Sequence, residues 1–173
     1  MILRTPIIAA FLSMGLLSIL FGCSKRDEAQ PATQKFSELS REDTARLEKQ
    51  RDVVAAAAKQ RYGTARLTKT KADLAVLQRL LDDRAFMKTQ TYELQCLGIA
   101  FGDVLASELP LRWMMVTDEY GTDLTLRFKD TTVQVNAVTM IAKRVEKGEE
   151  VDVQTLLRMT GEQISKLETE FKK

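Results

Sequence analysis

The chain has 173 residues, with no histidine and only two cysteines, Cys23 and Cys96. The first absence removes the commonest general base and the commonest metal ligand; the second excludes a cysteine-cluster zinc site and a disulfide framework. Proline and glycine are scarce, 3 and 8 residues, which speaks against a collagen-like, propeller-like or disordered chain. Neither sign of charge dominates: 26 Lys and Arg face 24 Asp and Glu, so a nucleic-acid binder driven by bulk charge is excluded. No glycine-rich stretch resembles a phosphate loop. What remains is a chain 45% hydrophobic and 29% charged, which predicts a packed, helix-rich core and one compact domain rather than two.

Residues 1–22 stand apart, with Arg4 followed by an uncharged run whose apolar centre is Ile7 to Phe21. That pattern predicts a secretory signal peptide, because about 15 strongly apolar residues fall short of the ~20 that cross a bilayer comfortably. Leu20, Phe21, Gly22 and Cys23 resemble the bacterial lipobox, although Phe21 is bulkier than most residues found at its place. The resemblance implies that Cys23 receives a diacylglyceryl group, that the chain is cut between Gly22 and Cys23, and that two or three fatty chains then hold the protein at the bilayer. Ser24, rather than Asp, fits lipoproteins passed on to the outer membrane. The expected location is therefore the bacterial cell envelope, lipid-anchored at the outer membrane and facing the periplasm. Lipidation of Cys23 would leave Cys96 as the only thiol, so no intramolecular disulfide is expected despite the oxidising compartment.

Residues 23–38 combine mixed charges with Pro31 and one large apolar residue, Phe36, and are expected to be a flexible tether behind the lipidated cysteine. Residues 39–173 are expected to form a single α+β domain. Ser40 with Asp43 makes a capping-box start for a helix that carries Leu47, Val54, Ala58 and Tyr62 and stops at Gly63. Thr70 with Asp73 opens a second helix with Leu74, Leu77, Leu80 and Leu81 on one face. A third covers Thr91 to Leu109, buries Leu94, Leu97, Phe101, Val104 and Leu105, and ends at Pro110.

From Leu111 the hydrophobic period changes to two. Strands are predicted at Leu111 to Asp118, Leu124 to Phe128 and Thr131 to Val138, a three-stranded antiparallel meander packed against several helices. A short helix around Met140 to Lys147 ends at Gly148, and Asp152 caps a last helix that runs through Val153, Leu157, Thr160, Ile164, Leu167 and Phe171.

Three motifs invite a function and have plainer explanations. Gly98, Gly102 and Ala106 form a groove of small residues on the third helix, expected to receive another element such as the alanine flank, Ala55 to Ala58, of the first. Asp118, Glu119 and Asp123 surround the first hairpin loop, but their spacing does not fit an EF-hand and an exposed loop leaves carboxylates near their ordinary pKa. Cys96, with no histidine to activate it, is expected to be a small core residue. No metal, cofactor or catalytic residue is assigned.

The segments LQCLGIAFGDVLASEL from Leu94, DEYGTDLTLR from Asp118 and KRVEKGEEVDV from Lys143, with Trp113, resemble an uncharacterised bacterial family, domain of unknown function 3806. The resemblance spans roughly Thr91 to the C-terminus, leaves the first two helices outside or at its margin, and implies an α+β domain in exported proteins. It supplies no activity; Trp113, Asp118, Glu119, Tyr120, Gly121, Arg127 and Arg144 fill its pattern.

These readings favour a non-enzymatic envelope lipoprotein that binds another envelope protein. The candidate contact patch is the outer face of the sheet, with Arg112, Met114, Val116 and Arg127, because the first strand is apolar on both faces where a sheet covered on one side should alternate. The alternatives are a carboxylate-dependent enzyme acting on cell-wall glycan, which would need two converging carboxylates, and a purely structural envelope lipoprotein.

Overall fold

A computed structural model describes residues 34–63 and 66–170. The element order is β1 (Lys35–Ser37), α1 (Arg41–Tyr62), α2 (Leu74–Asp82), α3 (Thr91–Glu108), β2 (Leu111–Asp118), β3 (Gly121–Phe128), β4 (Gln134–Val135), α4 (Ala137–Met140), α5 (Ala142–Glu146) and α6 (Val153–Glu170). The class is α+β, as expected. The sheet, however, has four antiparallel strands in the order β1-β2-β3-β4 rather than three.

Local chemistry sets the helix ends. The Asp43 N–H donates to Ser40 Oγ at 3.0 Å and the Ser40 N–H to Asp43 Oδ2 at 3.2 Å, a complete capping box for α1. Gly63, at φ 67°, closes the other end, and its N–H reaches the Lys59 carbonyl at 2.9 Å. Before α2 lies a 3₁₀ turn, Lys71–Asp73, whose buried Asp73 carboxylate accepts from the N–H groups of Thr68 and Lys69. Asp152 caps α6, accepting from the Thr155 N–H at 2.6 Å. Gln78 on α2 then holds the start of α6, donating to the Val151 carbonyl and accepting from the Val153 N–H, both at 3.0 Å.

α3 is the spine of the domain. Leu94, Leu97, Phe101, Val104 and Leu105 are all buried, and α1, α2, α4, α5 and β2 pack around it. The small-residue groove does not receive α1. A Cβ at Gly98 would collide with the backbone carbonyls of Ala137 and Val138, and one at Gly102 would collide with the Trp113 ring, so α4 and β2 fill the groove. This close approach also explains why the last strand is short: the chain leaves the sheet after Val135 to bring Ala137 against α3. The helix expected over Met140 to Lys147 is two short pieces, α4 and α5, around the buried Ile141. In α6 the buried residue of the second turn is Leu156, with Leu157 only partly covered.

β1 falls inside the stretch expected to be tether. Its physical cause is Phe36, the one large apolar residue there, which sits opposite Val116 of β2. Residues opposite one another share a face, so Phe36, Val116, Met114 and Arg127 all lie on the face away from α3. The Arg127 guanidinium lies 4.4 Å from the centre of the Phe36 ring, and the line from β3 to β1 between them crosses β2 at Met114. Met114 and Val116 are accordingly only 3% and 5% exposed, so the expected open patch does not exist. Among the described residues no helix is long and apolar enough to cross a membrane.

Candidate functional site

Two polar features lie between the helices and the sheet. In the first, Asp103 projects from α3 while only 7% exposed, a charge that burial would penalise unless it were paired. Arg51 of α1 meets it with two bonds, Nε to Oδ2 at 2.6 Å and Nη2 to Oδ1 at 2.7 Å, and Trp113 donates Nε1–H to Oδ1 at 2.9 Å. The Arg51 guanidinium also reaches Glu48 at 2.8 Å, and Lys69 reaches Glu48 at 2.9 Å. Burial opposes the charge on Arg51, but the hydrogen bonds and charge of Asp103, with those of Glu48, outweigh it and hold the group above its ordinary value. The Glu48 carboxyl is lowered, chiefly by its hydrogen bond from Lys69. Both oxygens of Asp103 are engaged, which suits a clamp between α1, α3 and β2 rather than a proton shuttle.

The second feature is a cleft of about 310 Å³ on the helix side of the sheet. Ile99 of α3, Met115 of β2, Leu124 of β3 and Val138 of α4 supply its apolar lining, with Ile99 and Met115 the most deeply buried. Arg46 and Gln50 of α1, Gln95 of α3, Thr122 and Asp123 of β3, and Asn136 and Thr139 supply the polar part. The side-chain amides of Gln50, Gln95 and Asn136 make no hydrogen bond to another described residue, whereas Arg46 is held by Asp43 at 2.8 Å. The cleft thus sets a small apolar group of side chains beside unengaged amides, and a concave site that offers both kinds of contact is a candidate for binding.

The sequence-expected residues are placed differently. Arg112 is half-exposed and bonded to Asp130 at 2.8 Å; Arg127 donates to the Thr131 carbonyl at 2.7 Å; Met114 and Val116 are closed beneath the Phe36–Arg127 pair. These four therefore share a face but form no open contact patch. Cys23 lies outside the described residues. At the β2–β3 hairpin, Tyr120 is 87% exposed and its N–H donates to Asp118 Oδ1 at 2.9 Å. Cys96 is fully buried and burial pushes its thiol up to about 11, a small core residue without nucleophilic character at neutral pH. Among the described residues no three acidic or thiol side chains cluster to hold a metal.

Residues 73–156 match the model of a family described as domain of unknown function (DUF3806). That stretch is similar to the DUF3806 family. Its match begins at the 3₁₀ turn before α2, earlier than the resemblance from Thr91 suggested, and ends inside α6. It therefore contains α2, α3, the β2–β4 meander, Asp103 and most of the cleft lining, while Arg46, Gln50 and Arg51 come from outside the DUF3806 match. A crystal structure of a protein from Bacteroides thetaiotaomicron VPI-5482 shares the fold, with a TM-score of 0.66 and 14% identity. The alignment covers 78% of this chain and 50% of that one, so this chain spans about half the length of that protein. Among curated proteins there is no match.

The sequence carried one overlooked signal. Asp103 sits within an otherwise buried run from Cys96 to Leu105, and a carboxylate in such a place demands a cationic partner. The cleft had no comparable signal, because its amides are scattered over α1, α3 and the segment after β4.

Proposed function

We propose that this DUF3806 chain is a bacterial envelope lipoprotein, anchored through acylated Cys23, whose domain binds another envelope protein through the 310 Å³ cleft without catalysing a reaction on it. The observation that carries the binding half is that four apolar side chains, Ile99, Met115, Leu124 and Val138, meet three unengaged amides in that cleft. The one acidic residue of the lining, Asp123, stands opposite Val116 and so turns its side chain to the other face of the sheet, and the lining has no thiol or histidine, which favours hydrogen-bonded recognition over acid–base or nucleophilic chemistry. The anchoring half rests on Leu20 to Cys23 behind the short apolar run. Eleven residues, Ser24 to Gln34, separate Cys23 from β1, so the covalent chain holds the domain within about 40 Å of the lipid it is attached to.

Both halves are testable in intact cells. Metabolic labelling with an alkyne fatty acid should mark the wild-type chain, and Cys23→Ser should abolish the label and leave residues 1–22 attached; label surviving that change would overturn the anchor. A photoreactive residue at position 136, on the cleft rim, should give a discrete adduct that position 163, exposed on α6, does not. Equal yields from the two positions would overturn the cleft.

A further inference from the structure

β3 is paired along its whole length on one side only. Toward β2 the register runs without a gap from Asp118 opposite Gly121 to Leu111 opposite Phe128. Toward β4 there are two pairs, Leu126 with Val135 and Arg127 with Gln134. The Phe128 N–H donates to the Val133 carbonyl, on the β4 side, and the Lys129 N–H to the Pro110 carbonyl, on the β2 side. Backbone direction alternates along a strand, so the even residues of β3 turn their N–H and C=O groups toward β4. At Leu126 and Phe128 they find it. At Thr122 and Leu124 there is no strand to find, because the chain has left the sheet at Asn136 to pack Ala137 against α3.

Thr122 and Leu124 also line the cleft, their side chains on the same face as Met115. A ladder of four open backbone groups thus runs along a pocket whose apolar side chains are Ile99, Met115, Leu124 and Val138. Alternate residues of a strand lie about 6.6–6.8 Å apart, a repeat that another extended polypeptide matches. The charge is suited to the same occupant: the one cation of the lining, Arg46, is already paired with Asp43, and Asp123, opposite Val116, turns its side chain to the other face of the sheet, so neutral amides are left to meet an uncharged peptide backbone. β3 also lacks the proline that commonly blunts an open edge.

We propose that the open edge of β3 at Thr122 and Leu124 accepts an extended peptide of the partner as an antiparallel strand continuing the line of β4, with an apolar side chain of that peptide seated against Ile99, Met115 and Val138. This rests on the cleft being a binding site and names what enters it. In an antiparallel pair the residue that bonds Leu124 also points its side chain to the cleft face. The peptide positions that need a free N–H are therefore the positions whose side chains fill the pocket.

The test uses heptapeptides selected from a phage-displayed random library on the full chain in detergent micelles, with binding followed by fluorescence anisotropy. Single N-methylation along a selected peptide should weaken binding at least tenfold at every second residue, and the sensitive residues should be those where an alanine substitution of an apolar side chain also weakens it. On the protein, Thr122→Pro removes an outward N–H and leaves the β2 ladder intact; it should weaken binding at least tenfold with little change in melting temperature. A selection that yields no binder, N-methyl sensitivity without the two-residue period, or a folded Thr122→Pro variant that binds as wild type would each overturn the proposal. Should Thr122→Pro fail to fold, the N-methyl series decides alone, since it changes only the peptide. Adducts from position 136 that persist through a failed peptide test would leave the cleft as a binding site and refute only the peptide edge; loss of both would refute the two together.

Discussion

Asp103 shows what a single charge does inside this core. Arg51, 52 residues earlier, and Trp113, ten residues later, both spend their polar hydrogens on it, so the carboxylate joins three elements at one point. Removing it leaves the indole N–H without its partner and the part-buried guanidinium with Glu48 alone. Asp103→Ala should cost about 3–5 kcal/mol, measured by urea denaturation, the range for breaking one partner of a buried pair. Cys96 makes the opposite use of burial. Its folded thiol keeps the proton up to about pH 11, where an unfolded thiol loses it near its ordinary value of 9.0. Between those values the folded state binds more protons, so stability should decline as pH rises through that window, and Cys96→Ala should remove that part of the pH dependence. Equilibrium melts at pH 8 and pH 10.5 on both proteins check this. The burial of Cys96 was legible from its helical phase. The partnership of Asp103 with Arg51 was not, because helical periodicity places a residue on a face without saying which residue of another helix stands opposite.

At the scale of elements, what repeats was legible and what is short was not. α1 has a capping box at one end and a left-handed glycine at the other, and α3 repeats its apolar residues over five turns; periodicity and caps both point to the same boundaries. β1 is three residues long, too short for a period of two to register, and it exists because Phe36 has Val116 beside it and Arg127 above it. A strand apolar on both faces calls either for an open contact face or for a covering helix over Met114 and Val116, and here a strand from the expected tether covers them instead. Phe36→Ser should therefore lower stability by about 1–3 kcal/mol, less than the 3–5 of a fully buried phenylalanine, and raise the proteolytic sensitivity of β1. A change below about 0.5 kcal/mol would mean that the outer face does not depend on this strand.

For the molecule as a whole, helices over one side of a small antiparallel sheet follow from the order of periods along the chain, about 3.6 for helices and then two for strands. The cleft does not follow from that order. It arises where α4 turns inward and α1, from outside the DUF3806 match, brings Arg46 and Gln50 to the same cleft as Thr122 and Leu124 of β3, so it belongs to the assembled tertiary structure rather than to any segment. The proposed binding sits at that point, and no reaction is proposed there. Mass spectrometry of the adduct formed in intact cells by a photoreactive residue at position 136 tests this most directly. The account expects an intact polypeptide of the envelope, attached through an extended stretch and reduced in yield by a tryptophan at Gln95 that fills the cleft. Recovery of a glycan fragment, of a processed product, or of the same molecule in equal yield from position 163 would contradict it.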